Sequence, residues 1–183
     1  ELVLAGGVAF HPTGGTHHGM PGRASGFCYL NDPVFAVQRL LDAGLTRVLH
    51  VDLDAHHGDG VEAAFADDPR VLLASIDEDG RWPGTGRVTE TLGGRAVNVP
   101  VPRGINDTEY ALVLDDLIMP FVRSVEPEAI VVLLGADGLA GDPLSAMRLS
   151  NTALWAACRE LIALAPRAAS RADPSKILSG SVS

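Results

Sequence analysis

Apolar positions in this 183-residue chain fall into short runs separated by polar and turn-forming residues, and the run lengths alternate between two types. Val34 to Ala43 repeats at helical spacing and stops at Gly44. Arg47-Val48-Leu49-His50-Val51-Asp52-Leu53 is a short apolar run ending in polar residues, the pattern of a strand buried in a parallel sheet. Val61 to Phe65 suits a short helix, and Val71 to Ile76 a second strand. Ala96 to Val99 predicts a third strand, closed by Pro100. Asp107 to about Met119 predicts a helix with an acidic first turn, which Pro120 ends or kinks. Ala129 to Leu134 is the fourth strand, and Ser150 to Leu164 the last helix, with Ser150 or Asn151 as N-cap. Strands alternating with helices imply an α/β fold whose parallel sheet carries helices on both faces. Residues 1–32, rich in Gly and turn formers, read as loop.

The ordered pattern stops near residue 165. Residues 166–183 hold five of the ten serines and the one lysine, Lys176, without strand or helix period. We expect a divergent, irregular tail there, in place of a further strand–helix unit lost by truncation or a change of reading frame. The expected domain is therefore residues 1–165.

Composition narrows the function. Apolar residues make up 46% of the chain and aromatic residues 5%, so the core is built chiefly from Ala, Val and Leu. A net charge of −9 disfavours direct contact with nucleic-acid phosphates and tolerates a cationic substrate, although such a charge also serves solubility alone. No apolar run approaches the roughly 20 residues of a membrane span. Cys28 and Cys158 match no metal or redox spacing, which fits reduced thiols in a cytoplasmic protein.

Candidate chemistry gathers where two strands end. The first runs into Asp52-Leu53-Asp54-Ala55-His56-His57-Gly58-Asp59, the fourth into Gly135-Ala136-Asp137-Gly138. Asp54 and His56, two apart, point to one side of an extended segment, and Asp137 from a neighbouring strand can join them. One imidazole and two carboxylates form a three-ligand divalent-metal site with a position left for water. Any one of these residues alone is more often a turn former. So many acidic and imidazole groups past one apolar strand are costly to bury without a cation. Upstream, His17 and His18 sit on a Gly-flanked loop. They suit proton transfer near neutral pH, with Asp52 and Asp59 available as supporting carboxylates, or they are further metal ligands. Spacing alone leaves both open.

Five segments resemble the histone deacetylase superfamily, and most closely its bacterial acetoin-utilisation branch. They are Gly14 to His18, Gly26-Phe27-Cys28-Tyr29-Leu30-Asn31-Asp32, Val51 to Gly60, Pro83-Gly84-Thr85-Gly86, and Gly135 to Pro143. The resemblance implies an arginase/deacetylase-like α/β fold, here incomplete, and hydrolysis of an N-acetyl amide on an acetylated lysine of a protein or an acetylated small amine. It makes Asp54, His56 and Asp137 the ligands of Zn²⁺ (or Fe²⁺). It makes His17 and His18 the acid–base pair, with Asp52 behind His17 and Asp59 behind His18. Gly26, Phe27 and Trp82 would line the acyl channel. K⁺ would bind through backbone carbonyls of Asp52, Asp54 and His56 and the Ser75 hydroxyl.

The family domain is about twice this length and closes its site with a tyrosine on a Gly-rich loop. Neither Tyr29 nor Tyr110 follows a glycine run. One alternative is thus a truncated relative that binds metal without turnover. Another, a two-metal hydrolase of the arginase fold, would need a second set of Asp and His ligands that the remaining segments do not supply.

Overall fold

A computed structural model describes residues 1–165 of the chain. The tail expected over 166–183 lies outside the described residues. Four strands form one parallel sheet: β1 (Val48–Asp52), β2 (Val71–Glu78), β3 (Ala96–Val101) and β4 (Ala129–Leu133), in the order β3-β2-β1-β4. Helix α1 (Asp32–Asp42) precedes β1 and α2 (Asp59–Phe65) follows it. Helices α3 (Asp107–Val113) and α4 (Met119–Val125) lie between β3 and β4, and α5 (Asn151–Leu164) comes last.

Both faces of the sheet are covered, as the alternating pattern requires. On one face, Val48, Val71, Leu73 and Ala96 pack with Val37 and Leu41 of α1 and Val61 and Phe65 of α2. On the other, Leu49, Val51 and Ile76 pack with Tyr110, Ile118 and Met119, and with Leu154 and Leu161 of α5. All five residues of β1 are buried, because β1 has strands on both sides and helices on both faces.

Two boundaries differ from the sequence reading. Strand β3 runs through Pro100 to Val101, which an edge strand permits because one of its sides carries no ladder bond. The helix begun at Asp107 does not stop at Met119. A π-helical turn over Leu114–Ile118 leads into α4, with the Met119 N–H bonded to the Leu114 carbonyl. The wider turn accommodates the missing N–H of Pro120 at the start of α4, so the helical path continues to Val125. Helix α1 ends as Gly44 predicts: the Gly44 N–H bonds the Leu41 carbonyl and the Leu45 N–H that of Leu40, with Gly44 at φ 92°.

Candidate metal centre and acid–base pair

The site is assembled at the carboxyl ends of β1 and β4, where an open parallel sheet presents its ligands. The two strands are hydrogen-bonded neighbours with Asp52 opposite Leu133, so the segments that follow them leave the sheet side by side. Asp54 and His56 come from the first segment. Asp137 comes from the second, within a short 3₁₀ turn over Ala136–Gly138.

Ligand atoms of Asp54, His56 and Asp137 all lie within 4.8 Å of one another. His56 Nδ1 is 2.6 Å from Asp137 Oδ2 and 3.1 Å from Asp54 Oδ1. Hydrogen bonding to Asp137 and then to Asp54 raises the His56 imidazole to about 9. Burial pushes the Asp54 carboxyl up, while the Asp137 carboxyl is held low by His56 in spite of its own burial. Two half-buried carboxylates thus converge on a single imidazole nitrogen, a donor set that fits one divalent cation with a coordination position open to the cavity.

The loop of residues 14–19 brings His17 and His18 over this trio. Both are buried, with ring centroids 3.8 Å apart. His17 Nδ1 is 2.6 Å from Asp52 Oδ2, and its Nε2 is 3.7 Å from Asp54 Oδ1, so the ring spans from the supporting carboxylate to the ligand cluster. His18 Nδ1 is 2.7 Å from Asp59 Oδ1. Burial pulls the His17 imidazole down, but the Asp52, Asp54 and Asp137 charges outweigh it and raise the group to about 9. The Asp52 carboxyl is held far below its usual range by His17, against complete burial.

These groups share one cavity of about 520 Å³, walled by Gly26, Phe27, Cys28, Trp82 and Leu144. Gly26, Phe27 and Trp82 are where the sequence reading puts a channel, while Cys28 and Leu144 had no assigned place in it. Trp82 stands edge-on to His18, centroids 4.6 Å apart. Ser75 is paired in register with Asp52, and its hydroxyl lies 3.0 Å from both Asp77 Oδ1 and Asn98 Oδ1.

Residues with no role in the sequence reading hold this arrangement. Asn31 donates to the carbonyls of His17 and Gly19, each at 3.0 Å. His57 bridges Thr85 at 2.9 Å and Glu62 at 3.1 Å, leaving only the first of the tandem pair, His56, facing the cluster. The signal for Asn31 was present in the segment ending Leu30-Asn31-Asp32, but its partners are backbone carbonyls, which no side-chain pattern reveals.

An α/β sheet whose adjacent strand ends present a three-ligand cluster, faced by two carboxylate-backed histidines, defines a candidate metal-dependent hydrolase centre. Comparison with known proteins narrows the class. The model of the histone deacetylase domain matches residues 1–173, and the chain belongs to the histone deacetylase family. It is 38% identical over 158 residues to histone deacetylase HOS1 of Saccharomyces cerevisiae, covering 85% of this chain and 34% of that protein. It is 40% identical over 158 residues to histone deacetylase 8 of Xenopus tropicalis, covering 82% of this chain and 42% of that one. Among solved structures it resembles an HDAC homolog from Aquifex aeolicus, with TM-score 0.84 and 37% identity over 89% of this chain and 46% of that one. An HDAC homolog complexed with SAHA matches with TM-score 0.84 and 38% identity, over the same shares of the two chains. The chain therefore spans less than half the length of these relatives.

Proposed function

We propose that this chain carries the metal centre and acid–base pair of a deacetylase that hydrolyses an N-acetyl amide, on a protein lysine or a small amine. The observation that carries this reading is the meeting of two buried, carboxylate-backed histidines with the Asp54, His56 and Asp137 cluster in one cavity. Zn²⁺, or Fe²⁺, held by that cluster would polarise the amide carbonyl and acidify a water molecule. Asp52 orients His17 so that its Nε2 faces the cluster and takes the proton from water. Asp59 orients His18, which returns a proton to the departing amine. Asp54 and Asp137 contribute to the elevation of His17, and a dication held by them would offset their charge, lower the His17 imidazole and leave the ring able to act as a base.

Gly26, Phe27 and Trp82 form the walls for an acyl-lysine stem. K⁺ is proposed at Ser75 and the backbone carbonyls of Asp52, Asp54 and His56. Residues 1–165 are taken as the central part of the catalytic domain, close to the bacterial acetoin-utilisation branch. No described helix is long and apolar enough to cross a membrane. A cytoplasmic setting is proposed on the two free cysteines, Cys28 and Cys158.

The test is a zinc-loaded preparation of the 183-residue chain, assayed on a fluorogenic acetyl-lysine peptide beside His18→Ala. Tyr29 is exposed and Tyr110 is buried in the core, and neither lines the cavity where a substrate carbonyl would sit. Turnover by this chain alone is expected to fall about 10²–10³ below a site with such a donor. His18→Ala should abolish what remains. Zinc binding at stoichiometry one, lost in Asp137→Asn, is the expected companion result. Robust turnover insensitive to His18→Ala would refute the assignment.

A further inference from the structure

The outer walls of the cavity come from two segments far apart in sequence. One is the loop after β2 that carries Trp82; the other is the loop after β4 that carries Leu144. The Arg81–Glu78 ion pair at the end of β2 bonds the backbone of the second loop, and Arg103 Nε also stands 3.9 Å from Glu78 Oε1. Arg81, next to Trp82, places Nη2 2.7 Å from Glu78 Oε1 and donates from Nη1 to the Leu144 carbonyl at 2.8 Å. Glu78 in turn accepts the Ala146 N–H on Oε2 at 2.6 Å, and its own N–H bonds the Ala55 carbonyl at 2.9 Å. Ala55 lies between Asp54 and His56.

The pair is placed to be stiff. Glu78 is 3% exposed at the end of β2, so its backbone is fixed by the sheet. Its carboxyl is held below the usual range by Arg81 and the Ala146 N–H, despite the burial that opposes this. Arg81 Nε has no partner among the described residues, so the guanidinium is held by Glu78 and Leu144 alone. Arginine supplies two donors in one plane, one for each wall, which lysine cannot reproduce.

The consequence reaches the reacting groups. Gly26 leaves no Cβ between His18 and Trp82; one built there would come within 2.6 Å of the Trp82 ring. The missing Cβ leaves room for Trp82 to pack edge-on to His18, a contact whose geometry follows the position of the Trp82 loop.

We infer that Glu78 and Arg81 form a strut that fixes the distance between the Trp82 and Leu144 walls, and so sets which acyl stems the cavity admits. Arg81 and Glu78 are positioning residues: neither lines the cavity. The choice of acyl ligand rests on the deacetylase reading above, whereas the strut itself does not.

The test uses the full 183-residue chain in a Trp155→Phe background, which leaves Trp82 the sole fluorophore of its kind. Acrylamide quenching of Trp82 should rise about twofold in Arg81→Met and in Glu78→Gln, with Arg81→Lys in between, while far-UV circular dichroism stays unchanged. With zinc bound, the affinity ratio between a straight-chain alkyl hydroxamate and one branched along its stem should fall about tenfold in Arg81→Met, the scale on which an apolar pocket discriminates by shape. A general loss of stability would weaken both ligands equally. Unchanged Trp82 quenching in the two pair-breaking variants, or an unchanged affinity ratio, would overturn the strut. Failure of the parent chain to bind zinc or any hydroxamate, with the quenching change intact, would overturn the deacetylase reading and leave the strut standing.

Discussion

The Asp32 carboxylate accepts the Gly15 N–H at 3.0 Å and the Thr16 N–H at 2.7 Å, and Thr16 adds its hydroxyl. This clamp joins the start of α1 to the loop immediately before His17. Those bonds hold the Asp32 carboxyl below its ordinary value, although burial pulls the other way. A depressed carboxyl contributes stability that is present above the unfolded value near 3.9 and lost as pH falls through the lower folded value. We expect Asp32→Asn to cost about 1.5–3 kcal/mol at pH 6, the range for losing hydrogen bonds to a charged acceptor. The gap between variant and parent should close towards pH 3, measured by urea unfolding. A gap that persists undiminished at pH 3 would show that the charge of Asp32 is not what holds the loop. Single residues of this kind divide into two sorts in the sequence. The Asp and His of the cluster were legible because polar groups past an apolar strand stand out. Asp32 and Glu78 were not, because the backbone N–H groups of Gly15, Thr16 and Ala146 that they accept from are brought to them only by the fold.

At the scale of elements, the convergence of β1 and β4 decides whether the cluster exists. The strands were legible from runs of Val, Leu and Ile bounded by polar residues. Their adjacency was only an expectation, since order in a sheet depends on contacts remote in sequence. The side-by-side exit of the two strands needs close approach at Gly135, whose missing Cβ would otherwise lie 2.6 Å from Asp137 Oδ1 and against the Asp54 carboxylate. Gly135→Ala should therefore spread the two carboxylates. Zinc at about 100 times its dissociation constant should stabilise the parent by about 2.7 kcal/mol, reversibly on chelation. Gly135→Ala should lose most of that increment in a thermal scan with and without zinc. An increment equal to the parent's would mean that the metal is held elsewhere. The same scale holds what the sequence left open: Pro120 could end or kink the helix, and a π-helical turn costs less than breaking a helix whose apolar face is already packed.

At the scale of the whole molecule, the sheet order among the described residues leaves β4 as an edge strand although its residues are Ala129-Ile130-Val131-Val132-Leu133. An edge of this kind usually carries charge or a bulge, and β4 carries neither. Its three central residues are only partly buried, and beside them opens a groove of about 590 Å³ lined by Val3, Leu4, Phe10 and Leu134. Phe10 is 81% exposed and Leu134 38%. The described residues thus expose apolar side chains next to strand backbone with no ladder partner among them, in a groove that Glu1, His11, Asp32 and Arg39 also line, on the side of the sheet away from β3. The fold class was legible from the alternation of strands and helices, but this was not: the β4 run reads like any buried strand, and only the sheet order shows that no described strand pairs with its far side. The 183-residue chain on its own should self-associate through that edge at micromolar concentrations, and increasingly with salt, because its net charge of −9 is then screened. Sedimentation velocity across a concentration series checks this. Phe10→Lys with Leu134→Lys should shift the distribution towards monomer without altering zinc binding. A parent chain that sediments as a monomer throughout would mean that this edge is covered in solution by part of the chain itself.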